Sequence, residues 1–175
     1  MKNSNFAVLI AALFAAGLGS NSCAQNVPAP GPPSPPEASR LPLNEPFHQK
    51  VTAEAWAAFQ DGHYVAAITN ADRCIGIFGE AAHRSQAVLD SEKVTLPTGA
   101  VSEAERKRIA PYQMLHDVAT CFLIKGWAEE KLGHKAEAKN AYKEAKKFTH
   151  ARSSRPKGDS FWSPAEKAAE HLAGL

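Results

Sequence analysis

Eight of the chain's twelve prolines fall between Val27 and Pro46. Proline lacks an amide hydrogen and fixes φ. A stretch that reads Pro28, Pro30, Pro32, Pro33, Pro35, Pro36, broken by Gly31 and Ser34, therefore offers no regular ladder of hydrogen bonds. Residues 25–46 read as an extended spacer, and at ~3.1 Å per residue some twenty of them reach ~60 Å. This spacer divides the 175 residues into a 24-residue leader and a 129-residue remainder, and only the remainder is large enough to fold around a core.

The leader opens with one positive side chain, Lys2, and is then uncharged and almost wholly apolar from Phe6 to Leu18 before Gly19-Ser20-Asn21-Ser22-Cys23-Ala24-Gln25. Thirteen apolar residues fall short of the ~20 needed to span a bilayer, and small residues follow where a peptidase would cut. Residues 1–24 thus read as a secretory signal peptide. Two cleavage chemistries fit: ordinary cleavage before Gln25, or diacylation of Cys23 to give a lipoprotein. Against the second, Ser20 stands where a bacterial lipobox has an aliphatic residue. Either route predicts an exported bacterial protein, periplasmic or membrane-anchored.

The remainder, 47–175, holds 24 alanines against 11 valines and isoleucines, which favours helix over strand. No alternating run supports a sheet, so an all-α fold is expected. The spacing of apolar residues predicts a first helix over 47–60, stopped by Asp61-Gly62. A second starts near His63 and either runs unbroken to Leu89 or breaks at Gly76 or Gly79. Leu96-Pro97-Thr98-Gly99 is a loop, and Ser102-Glu103-Ala104-Glu105 has the form of a capping box. Further helices are expected from Pro111 to Leu132, ended by Gly133, and from His134 to Phe148. Thr149–Ser160 reads as a loop, after which Ser163-Pro164-Ala165-Glu166 opens a final helix to about Leu172.

Gly62 and Gly133 each end one helix and precede another, with small residues at matching offsets. Ala55 and Gly126 stand seven residues before them. After Gly62 come Tyr64, Ala67 and Ala71; after Gly133 come Ala138, Tyr142 and Ala145. Small residues let paired helices approach closely while an aromatic fills the gap between them. The pattern resembles the tetratricopeptide (TPR) repeat, a 34-residue helix–turn–helix unit; the later copy matches better, since the earlier has Ala71 where an aromatic is usual. The resemblance implies a short right-handed stack of antiparallel helix pairs, with two clear units and the last helix as a cap. The glycines are 71 residues apart, leaving room for a degenerate middle unit at 79–112, turning near Gly99; the alternative is a long second helix.

In that family, ligands commonly lie in the groove lined by the first helix of each unit. Carried over by offset, the groove positions are Thr52, Trp56 and Phe59 in the earlier copy and Thr120, Leu123, Trp127 and Glu130 in the later one. Two tryptophans at one offset suggest an aromatic groove for a protein or peptide partner; packing between units is the competing reading.

Little else in the sequence points to chemistry. The seven histidines never pair at metal-ligand spacing and no two cysteines lie close in sequence, so neither metal nor cofactor is expected. His116-Asp117, adjacent on a helix, read as a polar edge rather than a catalytic pair. With Cys23 removed or lipidated, Cys74 and Cys121 remain, either bridged as a disulfide or buried as small apolar residues. Lys135, Lys139, Lys143 and Lys147 recur every four residues along one helix, a solvated face that also suits a weak contact with an anionic surface; export makes nucleic acid an unsuitable partner. The expected function is a non-enzymatic exported adaptor or scaffold. The alternatives are an accessory subunit of an envelope enzyme acting on polysaccharide, or an architectural lipoprotein.

Overall fold

The computed structural model of the chain describes residues 45–154 and 160–175. The expected signal peptide, Cys23 and most of the expected spacer lie outside them. The described part is mostly helical: α1 (Glu45–Gln60), α2 (Tyr64–Ser91), α3 (Glu103–Ile109), α4 (Gln113–Lys131), α5 (Lys135–Ala145) and α6 (Pro164–Gly174), with one 3-10 turn at Ala110–Tyr112. None of these helices is long and apolar enough to cross a membrane.

α4 is the hub. α1 and α2 pack against it on one side, α5 and α6 on the other. The α1/α2/α4 core is built largely from small side chains, Ala55, Ala67, Ala71, Cys74, Ala119 and Cys121, and is plugged by Phe78, Leu115 and Phe148. A smaller core of Leu123, Ala138, Tyr142, Ala145 and Ala168 joins α4, α5 and α6. Such small residues let the helix axes approach closely around the larger plugs.

The two glycine turns are built alike. Gly62 and Gly133 have φ of +78° and +82°, the left-handed conformation that glycine adopts without strain. At each, the histidine after the glycine bonds back to a carbonyl five residues earlier, His63 to Ala58 at 2.8 Å and His134 to Glu129 at 2.9 Å.

Of the two courses open to the second helix, the chain takes the unbroken one: α2 is a single 28-residue helix with no break at Gly76 or Gly79. Its buried stripe, Ala67, Ala71, Cys74, Phe78, Ala82 and Leu89, continues across both glycines, and packing on α4 outweighs the ~1 kcal/mol that each glycine costs a helix. Residues 79–112 therefore form the end of that helix, a loop and the short α3, not a helix–turn–helix unit.

One expectation needs correction, for there is a small antiparallel sheet where none was expected. β1 (Gly99–Ala100), β2 (Ser153–Ser154) and β3 (Ser160–Trp162) lie in the order β1-β3-β2, with Gly99 opposite Phe161 and Ser153 opposite Trp162. Strands of two or three residues are too short to leave a period in the sequence. The loops carrying them are tied by Arg152, whose buried guanidinium donates to the carbonyls of Leu96, Pro97, Thr149 and Ala151 at 2.6–3.1 Å. The caps follow the sequence: Ser102 and Glu105 form the reciprocal box, and Ser163 accepts from the Glu166 amide at 3.3 Å.

Candidate functional site

An open groove of about 930 Å³ runs between α1, α4 and the sheet. α1 supplies Gln49, Thr52, Ala53, Trp56 and Gln60, positions three, four, seven and eleven residues on from Gln49 and hence on one helical face. α4 contributes Gln113, His116, Asp117, Thr120 and Trp127; the sheet adds Ser153, Ser154 and Trp162, and α6 adds Lys167. The chain has three tryptophans, and all three line this groove.

Four of the seven groove positions expected from the sequence meet here: Thr52, Trp56, Thr120 and Trp127. The other three stand elsewhere. Leu123 is fully buried in the α4/α5/α6 core. Phe59 lies behind the groove wall, its ring 5.8 Å from Trp127 and 6.3 Å from Trp56. Glu130 accepts from the Tyr142 hydroxyl at 2.6 Å and from His171 at 3.1 Å. The tryptophans pack on one another as well as facing the groove, with Trp56 and Trp127 centroids 5.7 Å apart at 56°.

Beneath the aromatic wall lies a polar floor that the sequence reading missed. Asp117 accepts from His48 of α1 in a short buried contact and from the Gln113 amide at 3.2 Å. Burial pushes its carboxyl above the usual range, partly offset by the His48 bond. His116, one residue away, faces the other side: its Nε2–H donates to the Ile109 carbonyl at 3.1 Å and its Nδ1 accepts from the Arg152 amide at 3.1 Å. Burial lowers this imidazole to about 4, so it is neutral at pH 7. His116 and Asp117 do diverge, as adjacent helical residues must, but both are buried rather than forming an edge. The only hint of this in the sequence was the pair itself; the separation of 69 positions between His48 and Asp117 hides their pairing.

Hydroxyls complete the floor. Thr52 donates to the His48 carbonyl at 2.9 Å, and its oxygen lies 3.4 Å from the Cys121 sulfur and 3.6 Å from that of Cys74. Both cysteines are free and buried, and the neighbouring Cys74 thiol together with burial holds Cys121 well above the ordinary thiol range. Thr120 donates to the His116 carbonyl at 2.7 Å and pairs with Ser153. The floor's polar groups are thus engaged within the protein, while Gln49, Gln60 and Ser154 are exposed on the rim. Among the described residues no group of three or more His, Cys, Asp or Glu could hold a metal ion.

Of the four lysines expected along one helix, Lys135, Lys139 and Lys143 lie on α5 and Lys147 in the turn just after it; Lys135, Lys143 and Lys147 are exposed, Lys139 is half-buried, and Lys147 pairs with Glu144 at 2.7 Å. Compared with known proteins, the chain matches no family model, no curated protein and no solved structure.

Proposed function

We propose that this protein is a non-enzymatic adaptor of the bacterial cell envelope, a short TPR-like stack that holds an extended peptide segment of a protein partner in the groove between α1 and α4. The observation that carries this reading is the convergence of Trp56, Trp127 and Trp162 on one open groove, bordered by exposed glutamine amides. Aromatic faces bury apolar side chains at low entropic cost, and amide groups catch backbone carbonyls and N–H groups. An extended segment suits it because one wall carries β2, one of the two outer strands of the sheet order β1-β3-β2. The like-built turns at Gly62 and Gly133 support the repeat reading. Export, with the fold free in the periplasm or tethered through Cys23, rests on the leader alone, and the lysine face of α5 suits a weak contact with an anionic surface.

A second reading has the same groove to support it. Tryptophan faces flanked by amides also stack on sugars, as an accessory subunit of a polysaccharide-acting enzyme would require. One experiment addresses both. A photo-crosslinking residue at exposed Gln60 is expected to give an envelope adduct that protease removes, and the same residue at Arg84, on the exposed side of α2, is expected to give none. An adduct removed by glycosidase favours the polysaccharide reading. Equal adducts from both positions, or none from Gln60, would overturn the groove.

A further inference from the structure

The Trp127 indole is held from behind by a chain of hydrogen bonds. Its Nε1–H donates to Nε2 of His171 at 2.8 Å. A ring nitrogen that accepts a hydrogen bond carries no proton, so the His171 proton sits on Nδ1, 3.1 Å from a Glu130 carboxylate oxygen. That same oxygen takes the Tyr142 hydroxyl at 2.6 Å, and the Tyr142 ring stacks on the imidazole at 5.2 Å. The chain from indole to imidazole to carboxylate to phenol links the groove wall on α4 to α5 and α6.

This arrangement tolerates only the neutral imidazole. A proton added to Nε2 turns its acceptor into a donor and sets two N–H groups against each other at a distance that suits one hydrogen bond. The Glu130 carboxylate and the face of the Tyr142 ring lie on the other sides of the imidazole. Lys131 follows Glu130 on α4, and Lys167, one turn before His171, is occupied with Glu170 at 2.7 Å. The His171 side chain is 36% exposed, so protons reach it directly.

We propose that His171 is a positioning residue for the groove: neutral, it holds the Trp127 indole against Trp56 and Phe59; protonated, it releases the indole, and the aromatic wall loosens as the pH falls. This deepens the groove reading by giving that site a regulator, and any effect on partner affinity rests on that reading. The release of Trp127 does not.

The test uses the indole N–H resonance of Trp127, assigned with Trp127→Phe, followed from pH 8 to pH 5 in the full chain. The resonance is expected to move in step with the titration of the His171 ring protons. In His171→Gln, an amide oxygen can still accept from the indole and an amide N–H can still reach Glu130, but nothing titrates; the resonance is expected to stay at its neutral-pH position. A resonance that does not move in the wild type, or one that moves equally in His171→Gln, would overturn the proposal. No ligand enters this measurement, so failure of the peptide reading leaves its outcome unaffected.

Discussion

A methyl group added at Gly126 tests how the two halves of the later helix pair fit. A Cβ there would stand 2.3 Å from Cε1, 2.5 Å from Cδ1 and 2.9 Å from Cζ of Tyr142. Ordinary carbon–carbon contact lies at about 3.5–4.0 Å, so the ring must withdraw by roughly 1–1.5 Å or the helices must part. The ring has little freedom, because Tyr142 is fully buried and its hydroxyl is tied to Glu130. Overpacking of this kind costs about 1–3 kcal/mol, and straining the phenol bond adds about 1 kcal/mol. Against that, alanine gains about 1 kcal/mol over glycine in a helix interior. Gly126→Ala is therefore expected to destabilise by about 1–3 kcal/mol, a fall of roughly 4–12 °C in Tm for a domain of this size. Urea unfolding followed by circular dichroism measures it, with an unchanged m value. In a Tyr142→Ala background the clash is gone and the same change should be neutral or stabilising, a coupling of at least ~1 kcal/mol. Stabilisation by Gly126→Ala in the wild type, as at an unconstrained helical glycine, would refute the reasoning.

Three further outcomes follow from buried groups. His116 is depressed to about 4 when folded against about 6.5 unfolded, so its contribution is complete above pH 6.5 and is lost as the pH falls towards 4. At about 1.4 kcal/mol per unit, roughly 3 kcal/mol should disappear over that window, partly opposed by Asp117, whose raised carboxyl binds a proton more readily in the fold; a urea midpoint just as steep in pH for His116→Gln would rule this out. Cys74 and Cys121 should resist maleimide in the native protein, and both should react on non-reducing unfolding, as peptide mapping would show; neither reacting would mean the bridge that the sequence allows has closed. Arg152→Met should cost about 2–4 kcal/mol by leaving the Leu96 carbonyl and its neighbours without donors, and a loss under ~0.5 kcal/mol would show that water replaces the guanidinium.

What could be read in advance was what repeats locally. Gly62 and Gly133, the Ser102–Glu105 box and the Ser163-Pro164 start are signals within one helical turn, and the structure places each where the sequence does. The length of α2 was left open between two readings, since Gly76 and Gly79 could signal a break and the packing on α4 that decides for the unbroken helix is not local. The groove divided along the same line. Trp56 and Trp127 share an offset, so they could be paired, but Trp162 reaches the same wall from a three-residue strand with no offset to share. Leu123 occupies a groove offset yet turns into the α5/α6 core, because α4, packed on both sides, has no free face there. The His48–Asp117 bond joins residues 69 apart and depends on how α1 is set on α4, which local patterning does not encode.

The central claim is that the three-tryptophan groove holds an extended peptide. Its most direct measurement follows the indole N–H resonances of Trp56, Trp127 and Trp162 during titration with peptides selected from a displayed random library on the folded chain, and separately with soluble cell-wall oligosaccharides. The account predicts that the peptides shift all three resonances together and saturably, and that the oligosaccharides leave them in place. Selected peptides that bind while the three resonances stay still would contradict it.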